Sequence, residues 1–150
     1  MAGALRILHL YPKGDFFTGA AVQLHDLAAG LAARGHAVTV ATPASETWAA
    51  RCRAAGVEHV ALPMRRGLDP RAAWRLARLV RARRIQVAHA HKGRARTLAL
   101  LAGVMGARPL LVLNRGVSFP VGGLRRRVGY TSRRVHAIVA VCESIKRGLV

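Results

Sequence analysis

The chain has 150 residues and a formal net charge of +19, with 25 lysines and arginines against six aspartates and glutamates. Its length is that of a single domain with a real hydrophobic core, built from Ala, Leu and Val because aromatic residues make up only 5% of the sequence. Its two cysteines, Cys52 and Cys142, form neither a disulfide framework nor a metal-binding spacing.

Six apolar segments alternate with segments of helical periodicity along the whole chain. We predict strands over residues 4–10, 36–42, 57–62, 85–89, 110–113 and 137–141, with helices beginning near residues 19, 45, 70, 94, 124 and 143. The strands are nearly continuously apolar, which is typical of a sheet covered on both faces. Right-handed crossovers then predict a single α/β domain with a doubly wound, Rossmann-like parallel sheet of about six strands and helices on both faces.

Local signals mark the ends of several helices. Gly35 after Arg34 predicts a C-terminal stop, and Asp69 followed by Pro70 predicts an N-cap and a first helical position. The helix that follows has an apolar stripe (Ala73, Leu76, Ala77, Val80) and a basic stripe (Arg71, Arg75, Arg78). Because the last helix has no cap, we expect residues 1–150 to be the front part of a longer protein.

The loop at residues 13–19 leads from the first strand directly into the first helix. Gly19 permits a close approach of a ligand to the backbone, and the helix N-terminus presents free N–H groups to negative charge. The loop lacks the Gly-Lys-Ser/Thr of a P-loop, and the second strand ends without the carboxylate that binds a ribose. A ligand site at this edge of the sheet is predicted, with a structural turn as the alternative.

Two histidines lie in the segment at residues 89–93, after the fourth strand. His89 and His91 are two residues apart, so in an extended chain both point to one face. Because no Cys, Asp or Glu cluster supplies further ligands, we expect no metal site. His89 is predicted to pack near the sheet, while His91 reaches the crevice and hydrogen-bonds a hydroxyl or a phosphate.

Polar side chains also follow the fifth strand, in a loop at residues 114–120. Asn114 and Arg115 come where this architecture usually supplies ligand contacts, and a guanidinium suits a phosphate or a carboxylate. A surface arginine in a flexible loop is the alternative. Further along, a basic helix over residues 124–134 could lie on an anionic membrane or be a solvated face, with Arg125, Arg126, Arg127, Arg133 and Arg134 as its cations.

The charge and the apolar segments also bear on location. A basic surface attracts nucleotide phosphates, nucleic acid or acidic lipids, and the alternative is that arginine is simply the common surface residue of this chain. The first apolar stretch is interrupted by Arg6 and followed by Pro12, which argues against a signal peptide. The apolar residues 97–107 are too few to cross a bilayer. We therefore expect a cytoplasmic protein, in peripheral contact with the inner face of the membrane.

Four stretches together resemble the N-terminal domain of family-4 type GT-B glycosyltransferases. They are residues 5–10 with the loop Thr18-Gly19-Ala20-Ala21, residues 27–38, residues 87–91 and residues 137–146. The resemblance implies retaining transfer of a sugar from a nucleotide-sugar donor to a glycolipid or polysaccharide acceptor, without a metal or a cofactor. It also implies a C-terminal domain that holds most of the donor and lies outside residues 1–150, so the 150-residue chain alone should be inactive.

The resemblance and the loop positions together assign roles to residues. Donor diphosphate is expected to approach Thr18, Gly19 and Ala20. The acceptor is expected to contact Lys13, His91, Lys92, Asn114 and Arg115, with His91 as the best candidate for a catalytic residue. The sequence departs from the family where Thr18-Gly19-Ala20-Ala21 replaces Gly-Gly-Ala-Glu and where Asn114 replaces a frequent histidine. His136 and Cys142 similarly replace a common aspartate and a common serine.

Two other functions are open on the sequence. A basic α/β module could bind nucleic acid or another anionic partner without catalysis, although we expect nucleic acid not to be the partner. A dinucleotide-dependent oxidoreductase is disfavoured by the end of the second strand, which has no carboxylate. A binding module needs its arginines on one face, whereas an enzyme domain needs a concave polar crevice at the strand ends.

Overall fold

The computed structural model of the chain describes residues 3–16, 18–116 and 123–147, without the side chains of residues 125–127. The strands in this part are β1 (Arg6–Leu10), β2 (Ala37–Thr42), β3 (Glu58–Ala61), β4 (Val87–His91), β5 (Leu110–Arg115) and β6 (Val135–Ala140). The helices are α1 (Gly19–Ala33), α2 (Glu46–Ala54), α3 (Pro70–Ala82), α4 (Lys92–Val104), α5 (Leu124–Thr131) and α6 (Glu143–Arg147).

The strands form one parallel sheet in the order β3-β2-β1-β4-β5-β6. This is the order of a doubly wound Rossmann-like sheet, so the predicted fold class is confirmed. The order reverses between β1 and β4, which follow one another in space but not in sequence. In such sheets, ligands bind outside the carboxyl ends of the strands at this switch point.

Two apolar clusters cover the two faces of the sheet. Helices α1 and α2 pack on one face, where Leu24 and Trp48 are fully buried. Helices α3 and α4 pack on the opposite face, where Leu76 and Leu98 are buried against β1, β4 and β5. Burial on both faces explains why the strands are almost continuously apolar.

The predicted helix signals are present in the structure. Gly35 follows the C-cap of α1 with φ of +88°, a conformation that glycine adopts without steric cost. The Asp69 side chain accepts a hydrogen bond from the Ala72 N–H at 3.0 Å, and Pro70 is the first residue of α3. In α3 the predicted apolar stripe is buried and the arginine stripe is exposed. Within the described residues, no helix combines the length and apolar character needed to cross a bilayer.

Several element boundaries differ from the sequence prediction. The fourth strand continues two residues past His89, and the fifth continues through Asn114 to Arg115. These extensions exist because His91 pairs with Asn114 in the ladder, and such pairing depends on the neighbouring strand. The fourth helix begins at Lys92 with no intervening loop, and the basic helix ends at Thr131.

Candidate functional site

A crevice of about 540 Å³ opens at the carboxyl edge of β4 and β5, beside the N-termini of α1 and α4. Its described lining is Ala20, Gln23, His91, Lys92, Gly93, Asn114, Arg115, Gly116, Tyr130 and Val141. Five residues predicted for the site from the sequence are therefore gathered here, namely Ala20, His91, Lys92, Asn114 and Arg115. Lys13, Thr18 and Gly19 are not among the described residues that line it. Residues 117–120 of the predicted third loop lie outside the described residues.

The crevice is strongly positive. Lys92 is exposed at its edge, while Arg115 is buried at the end of β5. The guanidinium of Arg115 lies 5.1 Å from the centre of the Tyr130 ring, and that of Arg96 lies 4.3 Å from the same ring. No Asp or Glu occurs among the described lining residues. A ligand with a phosphate or a carboxylate therefore suits this site.

A second cavity, of about 350 Å³, lies between α3, α4 and the other face of the sheet. Small apolar side chains form most of its lining, with Arg108, Arg133 and Arg134 as the cations. The Arg134 Nη1 donates to the Gly103 carbonyl at 2.8 Å, so this guanidinium is bound within the protein. The cavity lies against a face of the sheet and contains none of the residues predicted for the site, so we do not place the site there.

The start of α1 is built around Thr18 and Gly19. The Thr18 hydroxyl caps the helix by accepting from the Ala21 N–H at 3.3 Å, and it lies 2.8 Å from the buried Tyr11 hydroxyl. Gly19 is the first helical residue, and a Cβ placed on it would meet no heavy atom within 4 Å. The surface beside Gly19 is therefore open, and α1 presents its N-terminal N–H groups there.

Three histidines form a buried cluster beneath the crevice. His9 on β1 lies opposite His89 in the strand ladder, and His91 follows on the same face of β4. Their exposed fractions are 1%, 8% and 3%. His9 was not predicted for the site because it lies within a different strand, β1, and its only signal in the sequence is a polar residue inside an apolar run. In the described part of the chain, these three residues are the group whose ligand atoms lie close enough together to hold a metal ion.

Both ring nitrogens of His91 are engaged within the protein. Its Nε2 lies 3.3 Å from Nδ1 of His9, and its Nδ1 lies 3.2 Å from Nδ2 of Asn114. Since the amide nitrogen of Asn114 donates, the Nδ1 of His91 accepts and its Nε2 donates to His9. The geometry thus makes His91 a residue that orients Asn114 toward the crevice.

Burial keeps the cluster neutral. Desolvation, followed by the charges of the neighbouring histidines, lowers the pKa of His91 to about 2 and that of His9 to about 3. Desolvation lowers the pKa of His89 to about 4. None of the three rings carries a positive charge at neutral pH, so the cations of the crevice are Lys92 and Arg115.

Lys92 joins β4 to α4 in a strained conformation, with φ of +71°. A left-handed conformation costs a residue with a Cβ about 1–2 kcal/mol, and strain of this kind is concentrated at functional sites. We expect Lys92→Gly to raise the free energy of unfolding by up to about 1 kcal/mol in urea denaturation. The same variant should weaken the binding of anions, because it removes an ammonium group from the crevice.

Arg84 provides the matched control for this variant. It also has a positive φ, of 49°, but follows α3 and does not line the crevice. Arg84→Gly should stabilise the domain by a similar amount and leave anion binding unchanged. A loss of stability in Lys92→Gly would show that its side chain contributes more than its backbone strain costs.

Comparison with known proteins agrees with this geometry. Residues 18–150 match the model of the glycosyl transferase 4-like domain, and this is most of the chain. The chain belongs to the glycosyl transferase 4-like family. The resemblance to the N-terminal domain of GT-B glycosyltransferases, seen in the sequence, is confirmed. A search of curated proteins gives no match.

Solved structures share the fold of this glycosyl transferase 4-like domain. A glycosyltransferase from Rickettsia africae superposes with a TM-score of 0.78 at 16% identity, over 99% of this chain and 39% of its own. Anabaena Alr3699/HepE, solved in complex with UDP and glucose, superposes with a TM-score of 0.72 at 17% identity, over 96% of this chain and 40% of its own. MurG from Acinetobacter baumannii superposes with a TM-score of 0.66 at 13% identity, over 93% of this chain and 42% of its own. The chain thus spans about two fifths of the length of these structures.

Proposed function

We propose that this domain is the acceptor side of a glycosyltransferase that moves a sugar from a nucleotide-sugar donor to a glycolipid or polysaccharide acceptor, with retention of configuration. The observation that carries the proposal is the positive crevice at the switch point of the sheet, bordered by the N-terminus of α1. The family match supports glycosyl transfer. The HepE structures, which contain UDP or UDP-glucose, support a nucleotide-sugar as the donor.

The leaving diphosphate is the group that these charges would stabilise. Gly19 leaves room for a phosphate at the start of α1, with Thr18 and Ala20 on either side, and the helix dipole favours the negative charge. Lys92 and Arg115 add two cations across the crevice. Fixed positive groups of this kind stabilise a developing anion without reorganisation, so we propose that the transfer step requires no metal or cofactor.

The acceptor would occupy the floor of the crevice. Asn114 offers an amide to a sugar hydroxyl, and His91 holds that amide in place through the 3.2 Å contact. Lys92 and Arg115 lie beside it. Lys13 is exposed in the loop before α1, from where it could contact a larger acceptor. His91 remains the predicted catalytic candidate, and the structure favours an action through Asn114.

A membrane-bound acceptor fits the outer surface of α5. Leu124 and Val128 are 79% and 58% exposed, which is unusual for large apolar side chains. The side chains of Arg125, Arg126 and Arg127 lie outside the described residues. Arg133 and Arg134 are exposed after the helix, although Arg134 is bonded to Gly103. We propose peripheral contact with anionic lipid at the cytoplasmic face of the membrane.

Binding of nucleoside diphosphates tests the crevice. UDP, GDP and ADP are titrated calorimetrically into the complete gene product, as the wild type, Lys92→Met and Arg115→Gln. Because a hydrogen bond to a charged group contributes about 1.5–3 kcal/mol, each variant should bind the preferred nucleotide about 10–100-fold more weakly. Arg6→Met, at the amino end of β1, is the matched control and should bind normally. Unchanged nucleotide affinity in both crevice variants would show that the donor does not bind at this site.

The reaction itself is tested on the complete gene product. Transfer from the preferred nucleotide-sugar to lipid and polysaccharide acceptors is followed, and the anomeric configuration of the product is read by NMR. Retention would support the proposal, and inversion would contradict it. The alternative function, binding of nucleic acid without catalysis, is tested by measuring RNA affinity at increasing salt concentration. A tight affinity that falls steeply with salt would favour a nucleic-acid module.

A further inference from the structure

We propose that His9, His89 and His91 form a binding site for a divalent transition-metal ion, with Zn²⁺ as the preferred metal. The three side chains converge from β1 and β4, and one donor nitrogen of each lies within 4.8 Å of the others. A set of three histidines with a fourth position left for a small ligand is a common arrangement for zinc. The site does not use the crevice cations but shares His91 with the crevice lining, and its test measures metal binding and not sugar transfer.

The spacing of the first two ligands already fits a metal ion. Nδ1 of His9 and Nε2 of His91 are 3.3 Å apart. A tetrahedral zinc ion with Zn–N bonds of about 2.0–2.1 Å separates its ligand nitrogens by about 3.3 Å. An ion would therefore replace the hydrogen bond between these two nitrogens without having to move them apart.

The distances between ring centres match those at a zinc ion for two of the three histidine pairs. Imidazoles on a tetrahedral zinc ion have their centres about 5.2 Å apart. The ring centres are 5.3 Å apart for His9 and His89, and 5.6 Å apart for His9 and His91. His89 and His91 are closer, at 4.1 Å, so metal binding requires these two rings to separate by about 1 Å.

Unsatisfied nitrogens also point to a ligand. Nε2 of His89 and Nε2 of His9 are buried and have no hydrogen-bond partner in the part of the chain that the structure describes. A buried polar atom without a partner destabilises the folded state. A metal ion bound by His89 would remove one of these costs. Since all three rings are neutral, they are in the form that binds a metal ion.

Asn114 allows this arrangement to be tested, because metal binding would reverse the direction of the hydrogen bond between Asn114 and His91. In the structure the Asn114 amide nitrogen faces Nδ1 of His91. Once Nε2 of His91 binds an ion, its proton must reside on Nδ1, which then donates to a carbonyl oxygen. Metal-bound histidines commonly donate in this way, and loss of the partner reduces metal affinity about 10–100-fold. Asn114 would meet this requirement by turning its amide.

The experiment uses the untagged chain, treated with a chelator and then titrated with Co²⁺ and Zn²⁺. We expect one ion per chain, and visible d–d bands of Co²⁺ in tetrahedral nitrogen coordination. His9→Asn and His89→Asn should each lose at least tenfold in affinity. His25→Asn is the matched control, because His25 lies on α1 beside Phe16 and outside the cluster, and this variant should bind as the wild type does.

Two variants of Asn114 keep the proposal decidable if a histidine variant fails to fold. Asn114→Asp supplies a stronger acceptor for His91 and should bind the metal about 10–100-fold more tightly, while Asn114→Leu should bind it more weakly by a similar factor. Equal affinities in the wild type and both variants would overturn the proposal. So would the absence of cobalt bands, or metal binding that persists when all three histidines are replaced.

Discussion

Acidification from pH 7 to pH 5 is expected to lower the free energy of unfolding of the metal-free domain by about 4–6 kcal/mol, since about 2 kcal/mol is lost for each of His9, His89 and His91. Unfolded histidine has a pKa of 6.5, whereas the pKa values in the folded chain are about 3, 4 and 2. Below pH 6.5 the unfolded chain therefore binds protons that the folded chain excludes. A lowered pKa in the folded state thus makes stability fall as the pH falls.

The size of this effect makes it easy to detect. Domains of this size have a free energy of unfolding of about 5–15 kcal/mol, so the loss is a large fraction of the total. It begins near pH 6.5 and continues until the pH approaches the values of the folded cluster. Burial also lowers the pKa of His59, which adds to the loss in the same direction.

Urea denaturation at pH 7, 6 and 5, in the presence of a chelator, measures this loss. His91→Asn should remove about one third of it, and replacing all three histidines should remove most of it. His25→Asn should keep the full loss because this residue lies outside the cluster. A stability that is constant between pH 7 and pH 5 would show that the cluster accepts protons in the folded state.

The fold could be predicted from the sequence because its signals are local. Apolar runs of strand length, the glycine stop at Gly35 and the capped start at Asp69 and Pro70 each act within a few residues. Their regular alternation then leaves few topologies. The ends of β4 and β5 were placed too early because His91 and Asn114 are polar. Their burial depends on pairing with each other, 23 residues apart in the chain.

The candidate site could be predicted only in part. Ala20, His91, Lys92, Asn114 and Arg115 meet because parallel strands end at one edge of the sheet. His9 could not be predicted for the site because its strand, β1, pairs with β4 only in the folded sheet. Its partner His89 lies 80 positions further along the chain. The sequence also does not indicate the place of Tyr130, which is half-buried between Arg96 and Arg115. Contacts of this kind follow from tertiary packing and leave no periodic signal.

Gly19→Leu is expected to abolish sugar transfer by the complete gene product while leaving the domain at least as stable as the wild type. Gly19 is helical, and a Cβ there meets no atom within 4 Å apart from its chain neighbours and its own helix, so the new side chain starts in open space. Leucine is the better helix former by somewhat less than about 1 kcal/mol, and the gain should be smaller at a helix terminus. The leucine would instead occupy the space that we propose for the donor diphosphate.

The expected loss of turnover is at least about 100-fold, since a displacement of reacting groups by about 1 Å can cost this much. Gly30→Leu is the matched control, because Gly30 is also an α1 glycine whose Cβ would meet no atom within 4 Å. Both variants should unfold at the same or a higher urea concentration than the wild type, and only Gly19→Leu should lose transfer. Since stability and turnover then change in opposite directions, the loss reports on ligand access at the start of α1. Normal turnover in Gly19→Leu would mean that the donor approaches the protein elsewhere.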